Sequence, residues 1–191
     1  MSSAALTPDL NDASHAPDAN SLPADTINFA NRMFDAAREG NSELLLQAVD
    51  AGLPPNLTNS KGAFISVVSI SQNVIMMTHY LIYYLRPGNT LLMLAAYAGH
   101  AELTKGLLQR KADPNRLNDI GQSIVAGAVF KAHDEVVRIL IEAGADPRIG
   151  KPTALEAAHI FNRKELMEVL GAKDGDISSD VPTPPSARPE K

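Results

Sequence analysis

Residues 88–115 read GNTLLMLAAYAGHAELTKGLLQRKADPN, and the rest of the chain is organised around them. The segment carries the signs of two short helices followed by an extended turn. Thr90 stands at a helix start, where its hydroxyl can accept from a backbone N–H that has no partner within the helix. Ala95 and Ala96 are small, so this helix can lie close against its neighbours. Gly99 follows at the helix end, where a left-handed backbone comes easily to glycine. Glu102 then opens a second helix near its positive end, and Leu103, Leu107 and Leu108 form a stripe at helical spacing. Lys111-Ala112-Asp113-Pro114-Asn115 is turn chemistry, and Pro114 cannot continue a helix.

The unit recurs. Moved forward by one period, Thr90 falls on Ser123, Ala95 on Ala128, Glu102 on Glu135, Leu107 on Leu140, and Ala112-Asp113-Pro114 on Ala145-Asp146-Pro147. A tight-packing column holds Ala36, Ala95, Ala128 and Ala158, and an acid column holds Glu43, Glu102, Glu135 and Glu165. The apolar stripe is Leu44, Leu103, Val136 and Leu166, with Ala48, Leu107, Leu140 and Leu170 one turn on. The helix-end column is Gly40, Gly99, Ala132 and Asn162, in which only Ala132 departs from the residues that favour a left-handed backbone. A repeat of this length predicts an all-α solenoid of about four units, and it makes binding, not chemistry, the expected task.

On these residues the chain resembles the ankyrin-repeat family, whose unit is about 33 residues, a β-turn plus two helices, with a T-P-L-H-x-A signature. The matching segments are TLLMLAAYAGHAEL at 90–103, GADP at 144–147 and PTALEAA at 152–158. The signature Pro-Leu-His is replaced by Leu91-Leu92-Met93, Ile124-Val125-Ala126 and Ala154-Leu155-Glu156. No repeat keeps the histidine that the family uses to tie neighbouring turns, so the resemblance implies modest stability. It also implies repeats at about 28–61, 89–119, 121–149 and 152–171 within a domain spanning 25–171.

The chain has 191 residues, no Cys and a net charge of −5. Disulfides and thiolate metal sites are excluded, and a reducing compartment, cytoplasmic or nuclear, is the expectation. Asp9, Asp12, Asp18 and Asp25 stand ahead of Ile27 without a Lys or Arg, whereas the repeat body is neutral. A neutral body with acidic ends argues against nucleic acid, which requires a concentrated basic face. The segments 1–24 and 172–191, rich in Ser, Pro and Asp without apolar periodicity, read as disordered tails. The first tail has neither the basic start nor the apolar run of a secretory signal. A cap at Asp25 or Thr26 opens the first helix.

The register breaks once. Gly40 to Gly99 and Ala36 to Ala95 each span far more than one period and less than two, which places the excess at 63–88. The segment 63–85 contains no Asp, Glu, Lys or Arg, and three readings compete for it. A membrane-spanning helix meets the length requirement, but Ser66, Ser69, Ser71, Gln72, Asn73, Thr78 and His79 oppose it, and it would split one stack across a membrane. An inserted finger adds only about 1.5 kcal/mol of loop-closure entropy. Translation of an unspliced intron accounts for the sharp change in composition and the clean excision point. The runs 67–74 and 80–85 are uncharged and β-prone, an aggregation risk.

Catalytic, metal and cofactor constellations are not found. His100 and His133 share one repeat position beside a helix end and read as structural. Asp174-Gly175-Asp176-Ile177-Ser178 begins like a calcium loop, but the required Gly and closing Glu are Ser179 and Pro185. No P-loop, Gly-x-Ser-x-Gly or His-Glu-x-x-His occurs. Thr7-Pro8 and Thr183-Pro184 are minimal proline-directed phosphorylation matches.

What remains is surface. The resemblance implies a concave face of inner helices and hairpin tips, where family partners dock. The equivalent positions are Arg38, Tyr97, Phe130 and Ile160, with Lys131 and Phe161 adjacent, and the tip contributes Arg116, Leu117, Asn118, Asp119 and Ile120. The expectation is a non-enzymatic adaptor or regulator that binds another protein and takes no cofactor or small-molecule substrate. The acidic tails raise an alternative, an escort for a basic client such as a ribosomal protein. A membrane-tethered protein held through 63–85 is the third.

Overall fold

The computed structural model describes residues 23–59 and 88–182. Eight helices lie among them: α1 (Ala24–Glu39), α2 (Ser42–Asp50), α3 (Leu91–Ala98), α4 (Ala101–Gln109), α5 (Ile124–Phe130), α6 (Asp134–Glu142), α7 (Ala154–Ile160) and α8 (Lys164–Val169). The inner helices α1, α3, α5 and α7 pack in succession, and the outer helices α2, α4, α6 and α8 pack in a second row behind them. The main contacts of each helix are with its own partner and its neighbours along the row, which is the geometry of a stack.

The caps form as the side chains dictate. Thr90 Oγ1 accepts from Met93 N at 3.1 Å and Ser123 Oγ from Ala126 N at 3.2 Å. Thr153 goes further, because Glu156 also reaches back to Thr153 N at 2.8 Å and completes a reciprocal cap. The first helix departs from expectation. It opens at Ala24 after Pro23, with no side-chain cap, and Asp25 lies within its first turn. The Pro23 carbonyl accepts from Thr26 N and Ile27 N, so the backbone starts the helix ahead of the expected cap.

The alanine column does what its size allows. Ala36, Ala95, Ala128 and Ala158 are all buried in the core. Leu45, Leu92, Leu103, Leu107, Ile124, Leu140, Leu155 and Leu166 fill the space around them. Burial of such side chains is worth roughly 1.5–3 kcal/mol each. The helix-end column is left-handed throughout: Gly40, Gly99, Ala132 and Asn162 have φ of 75°, 86°, 62° and 52°. Ala132 takes this backbone although its Cβ disfavours it.

Turns hook one repeat to the next. Asn56 Oδ1 accepts from Asp113 N at 2.8 Å, and Asn115 Oδ1 accepts from Asp146 N at 2.7 Å. In the third repeat Arg148 takes the asparagine position. Its guanidinium grips the Asp176 carboxylate at 2.7 and 2.9 Å and donates to Gly171 O. Ile177 rests against the core. Ordered contacts therefore run past Ala172, where the composition predicts a tail, because an arginine reaches further than an asparagine. Asp176, from the rejected calcium pattern, is committed to this grip and to Lys173 N.

The register break closes in a specific way. Gly88, with φ of 81°, occupies the position of Gly121, whose φ is 78°, and donates to Asn59 O at 2.9 Å. Gly88 thus belongs to the closing turn of the stack. The expectations for 63–85 and for both phosphorylation matches lie outside the described residues. Among the described residues no helix is long and apolar enough to cross a membrane.

Candidate interaction face

The expected contact positions fall into two groups at opposite ends of the inner helices. At the C-terminal ends, the ring of Phe130 meets that of Phe161 edge-on, with centroids 5.5 Å apart and planes at 73°. Both remain exposed, at 43 % and 47 %. Ile160, at the end of α7, is half-buried. The Lys131 ammonium sits 4.9 Å from the centroid of Tyr97, close enough for a cation–π attraction. Tyr97 is only 5 % exposed, so it supports Lys131 from below and is not itself an open anchor. Arg38, at the end of α1, is held by Asp35 at 2.6 Å.

The second group is the hairpin tip. Arg116, Leu117, Asp119 and Ile120 are exposed. Asn118 is not. At 5 % exposure it accepts from Ile120 N and Gln122 N and donates to Asn89 Oδ1 and Gln122 Oε1, so it shapes the tip. Repeat position groups Asn118 and Tyr97 with their exposed neighbours, because position alone cannot distinguish a side chain that faces out from one that turns in.

His100 and His133 stand at the starts of the outer helices α4 and α6. His100 Nε2 lies 2.8 Å from Arg38 O, and His133 Nε2 lies 3.2 Å from Tyr97 O. A carbonyl can only accept, so each Nε2 carries the proton. These bonds join consecutive repeats, which is the work expected of the missing signature histidine, done from another position. Burial lowers the pKa of His133, and the charges of Lys131 and His100 lower it further, while its bond to Tyr97 and the charge of Asp134 oppose them. Glu43, Glu102, Glu135 and Glu165 stand on the first turns of the outer helices. Among the described residues no group of three or more His, Cys, Asp or Glu is placed to hold a metal ion. The arrangement offers a surface with exposed rings.

Comparison with known proteins adds the lineage. The family described as "Ankyrin repeats (3 copies)" matches residues 33–118 and 92–180. A protein of Pseudomonas aeruginosa described as a putative ankyrin repeat protein is 39 % identical over 84 residues, covering 44 % of this chain and 34 % of its own length. A putative ankyrin repeat-containing protein of Treponema pallidum is 26 % identical over 154 residues, covering 75 % of this chain and 52 % of its own. The chain thus spans from a third to about half of the length of these relatives. Among solved structures, the ankyrin repeat domain of human ASB11 superposes with a TM-score of 0.57 at 21 % identity, over 78 % of this chain and 57 % of the other. That last likeness concerns the fold alone.

Proposed function

This chain belongs to the ankyrin-repeat family, and we propose that it is a non-enzymatic adaptor or regulator that takes a protein partner on its inner-helix face. Ankyrin repeats are protein–protein interaction modules. The observation that carries the reading is the exposed Phe130–Phe161 pair beside Ile160 and Lys131. Aromatic anchors dominate binding energy at interfaces, and a pre-stacked scaffold loses little freedom when it binds. Arg116, Leu117 and Asp119 at the tip form the second contact zone. The partner in this reading is a protein of the cytoplasm or nucleus, consistent with the absence of Cys and the neutral repeat body. Fractionation that recovered the chain only with membranes would contradict that placement.

The test compares the full chain with a Phe130→Ala/Phe161→Ala variant of matched Tm. A partner identified by capture, then purified, should bind the first and lose at least tenfold in affinity for the second. Equal affinity would remove the aromatic pair from the interface. The escort reading rests on the acidic tails of the chain. It requires affinity for a basic client that falls steeply as salt is raised, and salt-insensitive binding would sink it.

A further inference from the structure

Two hairpin mouths in this chain are built alike, although one encloses 60–87 and the other only Asp119 and Ile120. At the ordinary tip, Asn118 N donates to Gln122 O at 3.1 Å, Asn118 Oδ1 accepts from Gln122 N at 2.9 Å, and Gly121 N donates to Asn118 O at 2.9 Å. At the other, Asn59 N donates to Asn89 O at 3.0 Å, Asn59 Oδ1 accepts from Asn89 N at 2.7 Å, and Gly88 N donates to Asn59 O at 2.9 Å. Thr58 and Thr90 continue the pairing as an antiparallel bridge. Each of these bonds of the short mouth has its counterpart in the long one.

The long mouth is also held from its far side. Asn118 Nδ2 donates to Asn89 Oδ1 at 3.1 Å, tying it to the next tip. A Cβ added to Gly88 would fall 2.7 Å from the Asp119 backbone nitrogen, so the two tips sit in direct contact. Asn59 and Asn89 are buried at 5 % and 0 % exposure, and they bond to each other and to the next tip within the row. A chain end in such a site is fixed by its own neighbours, whatever lies between the two ends.

We infer that the stack closes between Asn59 and Gly88 through bonds of its own, so that the repeat fold does not require residues 60–87. The inserted-finger and the unspliced-intron readings both require such a stack. This inference does not depend on the proposed function.

The experiment replaces residues 60–87 in the full chain with the Asp-Ile dipeptide found at 119–120, and follows thermal unfolding by circular dichroism. A cooperative transition is expected, with Tm raised by roughly 5–10 °C because a much shorter loop is closed. A second variant replaces the same residues with a Gly/Ser linker of equal length, which keeps the closure cost and removes any strain of a tight tip. It should melt within a few degrees of the full chain. Loss of the cooperative transition in both variants, or a Tm well below that of the full chain in both, would overturn the inference. Retention in either shows a stack that closes on its own.

Discussion

The imidazole of His100 packs against Gly40, so close that a Cβ on that glycine would stand 2.5 Å from His100 Nδ1. The contact seats the ring where its Nε2 can donate to Arg38 O at 2.8 Å. One repeat later His133 faces Gly99 in the same manner, with 2.6 Å from the would-be Cβ to Cε1. At the third step both partners change together. Arg163 stands in the histidine column and pairs with Asp134, and Ala132 stands in the glycine column. Glycine is needed where a ring must fit, and where the ring is gone alanine is accepted.

This coupling gives paired predictions of opposite sign. Gly99→Ala meets both a left-handed backbone, at φ of 86°, and the His133 ring. It should destabilise by about 2 kcal/mol or more. Ala132→Gly relieves the strain without opposing a ring and should stabilise by up to about 1 kcal/mol. Chemical denaturation of both variants measures the two effects, and equal signs would refute the pairing.

His133 also makes stability depend on pH. Burial sets the folded pKa of His133 below its ordinary value, so the unfolded chain binds the proton more readily. By linkage, this group lowers stability as pH falls through the ordinary histidine range towards the lower folded value. The fall in Tm between about pH 7.5 and 5.5 should be smaller in His133→Asn than in the parent chain. Asparagine suits the site because Asn41, in the same column, caps α2 by accepting from Leu44 N.

Thr104 is fully buried among apolar side chains of α4, and its Oγ1 has no hydrogen-bond partner. Its column mates are Leu45 and Val137, both buried. Thr104→Val keeps the shape and removes an unsatisfied hydroxyl, whose burial costs about 1–3 kcal/mol. A stability gain of about 1 kcal/mol by urea titration is the expected result, and a loss would show that the hydroxyl is satisfied in solution.

The Arg148–Asp176 grip closes the last turn. The Arg148 guanidinium, aided by Lys173 N, holds the Asp176 carboxyl below its usual range. A depressed carboxyl contributes stability above its ordinary pKa and loses it as pH falls through the folded value. Arg148→Ala should speed hydrogen exchange across 171–177 at neutral pH while leaving α3 and α5 protected. Unchanged exchange would show that the ion pair is incidental.

Much of this was legible in the chain itself. Thr90, Ser123 and Thr153 announced their helices because a hydroxyl before an apolar run has one well-defined local use. The alanine and leucine columns announced the stack, because a unit of about 33 residues can bury its stripe only against copies of itself. The candidate face was legible in part. Phe130 and Phe161 could be placed in adjacent columns, but only packing shows that they meet edge-on and stay exposed. Asn118 and Tyr97 occupy positions equivalent to contact residues and are buried by the fold.

Residue chemistry acting within a few positions specifies the repeat, its period, the helices and most of their ends, and these could be read from the chain, the start of α1 excepted. Packing settled the rest: that Gly88 closes the broken register, and which bonds join repeat to repeat. His100 to Arg38, Asn56 to Asp113 and Arg148 to Asp176 each join residues 28 to 62 positions apart. Such contacts depend on how two surfaces settle against each other, and no local pattern encodes that distance.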